Sequence, residues 1–317
     1  MVKGMQKIIR VGSRGSRLAL KQVELFVDAL RRVAPEVSAE VVVIQTAGDQ
    51  RTDLPLCQVN RASGVADKGV FIAAIEEALL RGEIDCAVHS CKDMPGKLDD
   101  RMRLAAVLPR EVPADTLVIR PGADMRRPVI GTSSVRRAAL AKAYWGGSAR
   151  VVNLRGNVPT RLLRLAESQE MDAIILARAG LSRLGLGSEG FVDVDGVRLI
   201  LADLSCDAFM PALCQGAIAI ETLKAHAELA ELLRRVNHEP SELTVRAERA
   251  FLAALQADCS TPVAGYASLK GSALMLRVLY FMPDGLPIRL TLKGSADQPE
   301  ALALRAAADL RSFLAPA

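Results

Sequence analysis

Apolar residues at Val23, Phe26, Val27, Leu30 and Val33 recur at helical spacing. They lie between two short runs that read as strands, "KIIRVGS" (7–13) and "EVVVIQT" (40–46). The expected order is β-α-β, with the helix running on from Ser16. A second amphipathic helix, "VFIAAIEEALLRGE" (70–83), leads into the strand "DCAVHS" (85–90) and, after a turn, the strand "DTLVIR" (115–120). Strands alternating with helices predict a largely parallel sheet. Pro109, Pro113, Pro121 and Pro128 punctuate the next stretch, and then the pattern restarts: strand "PVIGTSS", helix "VRRAALAKAYW", strand "RVVNLRGN", helix "PTRLLRLAES", strand "DAIILARAG". The restart predicts a second α/β domain. "GAIAIE" (216–221) reads as a strand able to return to the first sheet. Beyond it come a helix, "SELTVRAERAFLAAL", a loop around Cys259, a β-hairpin about Pro283-Asp284-Gly285 and a closing helix from Pro299, which together predict a small α+β unit. The expected division is 1–110 with 216–235, then 111–215, then 236–317.

Length agrees with this division, since 317 residues exceed what one hydrophobic core usually serves. Half the residues are hydrophobic and 24% are charged, which excludes a disordered chain. The amino-terminal stretch lacks the apolar core of a secretory signal, and no later run approaches a membrane span, so a cytoplasmic protein is expected. Six cysteines show no C-x-x-C and no spacing suited to a metal, so neither a disulfide framework nor a metal site is expected. Net charge is +5, but Arg126 to Arg183 contain ten Arg and one Lys against three acids, a local excess of +8. Guanidinium suits planar, bidentate recognition of carboxylate or phosphate.

Three strand-to-helix junctions carry this charge. "GTSSVRR" (131–137) sets Thr132, Ser134, Arg136 and Arg137 where free backbone N–H groups and the helix dipole favour an anion, although Ser133 or Ser134 would serve equally as a plain N-cap. "NLRGNVPTR" repeats the device with Arg155 and Arg161, and "SRGSR" (13–17) offers Arg14 and Ser16 from the first domain. Ligands of open α/β sheets bind at such strand ends, so an anionic ligand between two domains is the economical reading. "AVHSCKDMP" (87–95) ends a strand with His89, Lys92 and Asp93; Asp93 is either a general acid or base or a turn-former, and His89 is expected to be structural. "GLGSEG" (185–190) has the G-x-G-x-x-G spacing but no following helix, which argues against a dinucleotide site. Cys259, alone in a loop, is an inert thiol, a nucleophile or a point of covalent attachment.

Taken in order, "RGSRLALKQ", "KGVFIAAIEEALL", "DCAVHSCKDMP", "GTSSVRR", "LRGNVPTRL", "DAIILARAGLSRLGL", "QGAIAIE", "NHEPSELTVRAERAFL" and "DCSTPVAGY" resemble the porphobilinogen deaminase (hydroxymethylbilane synthase) family along almost the whole chain. The resemblance implies two α/β domains like those of periplasmic binding proteins flanking a cleft, plus a small α+β domain. It implies a transferase of tetrapyrrole and heme biosynthesis that joins four porphobilinogen molecules head to tail with loss of ammonia. A dipyrromethane cofactor, assembled from substrate and held by Cys259 through a thioether, would prime the chain, and hydrolysis would release hydroxymethylbilane. Asp93 would be catalytic; Ser90, Lys92, Ser134, Arg136 and Arg137 would contact the cofactor. Arg14, Ser16, Gln22, Thr132, Arg155, Arg161, Arg183 and Gln215 would bind the acetate and propionate groups of the pyrroles. No metal, nucleic acid or membrane is implied, and a monomer is favoured.

The chain departs from the family pattern in places. Ala47 stands where an arginine is common, the loop from Gln50 to Lys68 is longer than usual, and Cys214 replaces a usual glycine, a change expected to be tolerated if φ there is negative. Without the resemblance, two other readings fit the charge. A cytoplasmic anion-binding protein would need neither Asp93 nor Cys259. A nucleic-acid binder would want stacking platforms, yet only Tyr144 and Trp145 lie among the arginines.

Overall fold

A computed structural model describes residues 7–46, 72–257 and 261–314. The first sheet has the strand order β2-β1-β3-β11-β4, with β1 Lys7–Ser13, β2 Val37–Val43, β3 Cys86–Ser90, β4 Met102–Val107 and β11 Ile218–Leu223. Helices α1 (Arg17–Val33) and α2 (Ala73–Leu80) connect its parallel members, β1 pairing parallel with both β2 and β3. The expected helix after Ser16 forms because the Ser16 side chain caps it, accepting from the Ala19 N–H at 3.2 Å. Its predicted stripe is the buried one: Val23, Phe26 and Leu30 pack with Ile9, Val11, Val88 and Ile220 in one core.

The second sheet runs β7-β6-β8-β5-β10-β9, from β5 Asp115–Ile119, β6 Val129–Gly131, β7 Arg150–Val152, β8 Ala173–Ala177, β9 Phe191–Val194 and β10 Val197–Asp203. Helices α3 (Val135–Tyr144), α4 (Val158–Ala166) and α5 (Arg178–Arg183) follow β6, β7 and β8. The third sheet is an antiparallel meander, β12 Val263–Lys270, β13 Ala273–Phe281 and β14 Pro287–Ser295. It is covered by α7 (Glu239–Leu255) and α8 (Pro299–Leu314), while α6 (Ala227–Arg234) packs back on the first sheet. The hairpin about Pro283-Asp284-Gly285 and the closing helix from Pro299 both form as expected. So does the architecture of two α/β units and a small third one.

The expectation of largely parallel sheets is corrected. β11 runs antiparallel to both β3 and β4, and β5 runs antiparallel to β8 and β10, so each α/β sheet is mixed. The cause is the connectivity: the chain leaves the first sheet after β4, builds the second and returns as β11, so each sheet receives a strand from the other's direction of travel. Strand β5 belongs to the second sheet, on the side of residue 110 where the expected division put it. The run "EVVVIQT" pairs three residues earlier than its apolar centre suggested, because register with β1 begins at Lys7 and Val37. β4, α5, α6, β12 and the β9-β10 hairpin had gone unread. That hairpin turns on Asp195 (φ 47°) and Gly196 (φ 83°), the Asp-Gly pair that a tight turn with two positive φ values selects.

Residues 108–114 and 204–217 carry the chain between the two α/β sheets and lie against each other. The Leu108 N–H donates to the Ile218 carbonyl at 3.1 Å and the Glu111 N–H to the Gly216 carbonyl at 3.2 Å. Gly216 has φ 87°, and a Cβ there would run into the Glu111 carbonyl oxygen, so glycine is required twice over. Cys214 has φ 62°, so the condition of a negative φ, under which the change from glycine was expected to be tolerated, is not met, and its side chain is buried. The fold keeps the left-handed backbone here and accepts a side chain on it.

Candidate active site

The carboxyl end of β3 breaks into a single 3-10 turn, Cys91–Asp93, because the Met94 N–H donates to the Cys91 carbonyl and Pro95 follows. Asp93 projects from this turn, exposed, with no hydrogen bond or ion pair among the described residues. Lys92 Nζ donates to Gln215 Oε1 at 3.2 Å. Burial, and then repulsion from Arg137, bring its pKa down to about 8, against the attraction of Asp93 and Asp115.

Asp115, at the head of β5, is the centre that the sequence did not reveal. It is fully buried and sits 2.7 Å from Arg137 Nη2 and 2.9 Å from Arg136 Nη2, both on the first turn of α3. Burial alone would raise its pKa, but the two guanidiniums outweigh burial and hold the carboxylate well below its ordinary range. Gln215 is also fully buried and both ends of its amide are occupied. Its Nε2 donates to the Pro113 carbonyl at 2.7 Å and to Asp115 Oδ1 at 2.9 Å, while its Oε1 accepts from Lys92. A continuous chain of bonds thus joins Lys92, on the first sheet, to the arginines of the second.

Other expected residues fall around this chain. Ser134 is the N-cap of α3, accepting from the Arg137 N–H at 3.4 Å, and Thr132 Oγ1 accepts from the Ser134 N–H, so the plain capping role is real. Arg161, half-buried on the first turn of α4, faces Asp93 and Arg137; burial first, then Arg137, lower its pKa to about 10. Arg155 is buried ahead of Gly156, whose φ of 117° lets the chain turn into α4. Gln22 Nε2 donates to Ser90 Oγ at 2.8 Å, tying α1 to the end of β3. Arg14 and Ser16 lie at the amino end of α1. Arg183 is buried, with Nη2 donating to the Gly216 carbonyl at 2.6 Å. It therefore braces the returning crossing segment. His89 is structural, as expected: it pairs with the buried Glu221 at 3.0 Å. Cys259, Ala47 and the loop 50–68 lie outside the described residues.

Arg110 and Glu248 also went unread. The Glu248 carboxylate, fully buried on α7, binds Arg110 Nη1 at 2.5 Å, accepts from the Cys214 N–H and accepts from the Ala267 N–H at 2.6 Å. Arg110 Nε reaches the Gln215 carbonyl at 2.9 Å. One carboxylate thereby ties the third unit to both crossing segments. The available signal was an acid inside an apolar helical stripe, which has to be paired when buried.

Family models match in the same order. One described as "Porphobilinogen deaminase, dipyromethane cofactor binding domain" matches residues 9–231, more than half of the chain, and one described as "Porphobilinogen deaminase, C-terminal domain" matches 242–312. This chain belongs to the porphobilinogen deaminase family. The porphobilinogen deaminase of Geobacillus kaustophilus is 41% identical over 315 residues, covering 96% of this chain and 94% of that one. The porphobilinogen deaminase of Pelotomaculum thermopropionicum is 38% identical over 311 residues, with the same coverage. Among solved structures, the methionine binding protein MetQ is a loose likeness, with TM-score 0.41 and 13% identity over 78% of this chain and 93% of that one. Every arginine of the three strand-to-helix junctions lies inside the region that the cofactor-binding family model matches.

The residues present fit a carboxylated pyrrole cofactor. Such a group needs cations whose donors are not already spent, in a place from which water is partly excluded. Arg137 Nε and Arg183 Nε are buried and have no hydrogen-bond partner among the described residues. Lys92, Arg136, Arg137 and Arg161 concentrate more positive charge than Asp93 and Asp115 neutralise.

Proposed function

We propose that this chain works as the family's enzyme through the residues assembled here, with Asp93 as its catalytic group. The dipyrromethane, once bound through Cys259, supplies the acceptor to which each new pyrrole is joined. Asp93 faces the place where porphobilinogen loses ammonia. Its carboxylate, exposed and unpaired among the described residues, stabilises the positive charge that develops on the pyrrole as the carbon–nitrogen bond breaks. Arg161 and Lys92 flank it and hold carboxylates of the bound pyrroles, so that the reacting carbon meets Asp93 rather than a cation.

Cofactor carboxylates are assigned to Lys92, Arg136 and Arg137, with Ser90 and Ser134 as hydroxyl donors. Substrate and growing product are assigned to Arg14, Ser16, Thr132, Arg155, Arg161 and Arg183. Gln215 and Gln22 are better read as positioning residues, because their amides are buried and bonded to Lys92 and Ser90. The three units are proposed to span 1–110 with 216–235, 111–215, and 236–317. A cytoplasmic monomer that binds no nucleic acid is the reading that goes with a small-molecule substrate. In support, no helix among the described residues is long and apolar enough to cross a membrane, and Arg136 and Arg137 are buried around Asp115 rather than displayed.

The observation that carries this reading is the meeting of Lys92 and Asp93, from the first sheet, with Arg136, Arg137 and Arg161, from the second, across one buried carboxylate. Intact mass tests it. The purified chain is expected to exceed its sequence mass by a dipyrromethane and to colour with Ehrlich's reagent, and Cys259→Ser to do neither. A wild-type chain that is purified at its sequence mass and gains none on incubation with porphobilinogen would overturn it.

A further inference from the structure

Two thiols meet behind the Asp93 turn. Cys91 opens that turn, and Cys214 lies on the returning crossing segment; each is 1% exposed. They share a small apolar cluster with Met94, Val107, Ala217 and Val245. Backbone bonds draw them together, the Cys91 N–H donating to the Ala217 carbonyl at 3.0 Å and the Ala217 N–H to the Cys214 carbonyl at 3.3 Å. Their side chains lie in one apolar cluster, close enough for each to shift the other's titration. Cys214 holds its place at φ 62°, a backbone region that disfavours side chains.

The surroundings divide the two thiols by role. Donation from Cys214, helped by the Arg249 and Arg110 guanidiniums and opposed by burial and Glu248, brings the Cys91 thiol down to about 7. The same contact, with burial, pushes Cys214 up. Arg249 is itself buried and its Nη1 has no hydrogen-bond partner among the described residues, so its charge is free to favour a thiolate. A thiolate beside a protonated thiol is the arrangement of an attacking and a resolving cysteine.

We propose that Cys91 and Cys214 form a peroxide-oxidised modification site that closes reversibly to a disulfide, tying the Asp93 turn to the crossing segment. The Cys91 sulfur attacks a peroxide oxygen, the O–O bond breaks, and the leaving oxygen departs as water or an alcohol after taking a proton. Cys91 is then a sulfenic acid. The Cys214 sulfur attacks it, the S–O bond breaks, and water leaves with the Cys214 proton. Two electrons pass from the thiols to the peroxide, and an external dithiol returns them. The functional consequence rests on the reading of Asp93 given above: a covalent bond from the catalytic turn to residue 214 stops the two α/β units from readjusting as the product lengthens.

The test uses the holoenzyme, treated with hydrogen peroxide, alkylated and digested. Peptide fragmentation is expected to assign a bridge between Cys91 and Cys214, accompanied by loss of turnover that dithiothreitol restores. Cys91→Ala and Cys214→Ala are expected to turn over normally before peroxide and to keep that activity after it. Inactivated enzyme without the bridged peptide, or equal inactivation of both variants, would overturn the proposal. The bridge is read by mass and not by activity, so it is detected even if the deaminase reading fails.

Discussion

Two aspartate–arginine pairs a short distance apart in the chain make the same contact in different surroundings. Asp124 holds Arg126 at 2.9 Å with side chains 58% and 89% exposed; Asp115 holds Arg137 at 2.7 Å with side chains 0% and 7% exposed. In the first, hydrogen bonds from Arg126 bring the carboxylate down to about 2, but water already solvates both charges and the pair can break freely. In the second, three ionic side chains have been taken out of water, and each is tolerable only because the others are present. Contact distance says nothing about which pair the fold depends on. Burial decides it, and the buried pair is the one linked through Gln215 to Lys92.

The largest effect that would test this contrast is Asp115→Asn. Removing the charge leaves Arg136 and Arg137 buried together, and the loss of unfolding free energy is expected to be about 3–5 kcal/mol in urea titrations. The acid limb should change as well. A carboxylate held below its ordinary 3.8 contributes stability that is fully present above that value and disappears as pH falls below it. The variant should lack that part of the acid transition. A variant as stable as the parent would break the comparison.

Asp93→Asn sharpens the contrast from the other side, since this acid is exposed and unpaired among the described residues. Its removal is expected to leave the melting temperature unchanged and to cut kcat about 10²- to 10³-fold, the usual cost of losing one charge aimed at a developing charge. Equal losses of stability and activity would mean that Asp93 belongs with Asp115 as a structural group. A smaller effect belongs to Gly216→Ala, where a Cβ meets the Glu111 carbonyl at φ 87°; a destabilisation of about 1–3 kcal/mol is expected from strain at the crossing.

Lys92→Met should be visible mainly in pH dependence. With the folded pKa at about 8 and the unfolded value near 10.5, the unfolded chain binds the extra proton between them, so folding gains stability as pH rises through that window. The difference in melting temperature between parent and variant should slope over that range and flatten below it. Arg126→Ala, at the exposed pair, is expected to change neither melting temperature nor turnover measurably.

Much of the fold was legible because its signals are local. The stripe of α1, the Ser134 cap, the Pro283-Asp284-Gly285 turn and the restart after Pro128 each rest on residues close in sequence. The arginine wall was equally visible as an excess of like charge. Strand direction was not, since β5 and β11 read the same whichever way their neighbours run. Short strands such as β4, with no strict alternation, passed unread for lack of a periodic signal. The site residues divided on the same line. Asp93, Lys92 and the Arg136-Arg137 pair stand in recognisable junctions, whereas Asp115 and Glu248 look like ordinary members of a strand and a helix. What marks them is the company they keep.

The order of α/β units, the basic strand ends and the family resemblance were properties of the sequence by itself, because each depends on neighbouring residues or on a motif's own pattern. Only the tertiary structure decided that Asp115 gathers Arg136 and Arg137, that Glu248 ties the crossings to the third unit, that Gln215 bonds Lys92, and that Cys91 lies in one cluster with Cys214. The physical reason is that pairing a buried charge or joining two thiols is a relation between groups on different elements, 22 residues apart for Asp115 and Arg137 and 138 for Arg110 and Glu248. No local pattern in the chain encodes such a relation, and it exists only once both partners have left water.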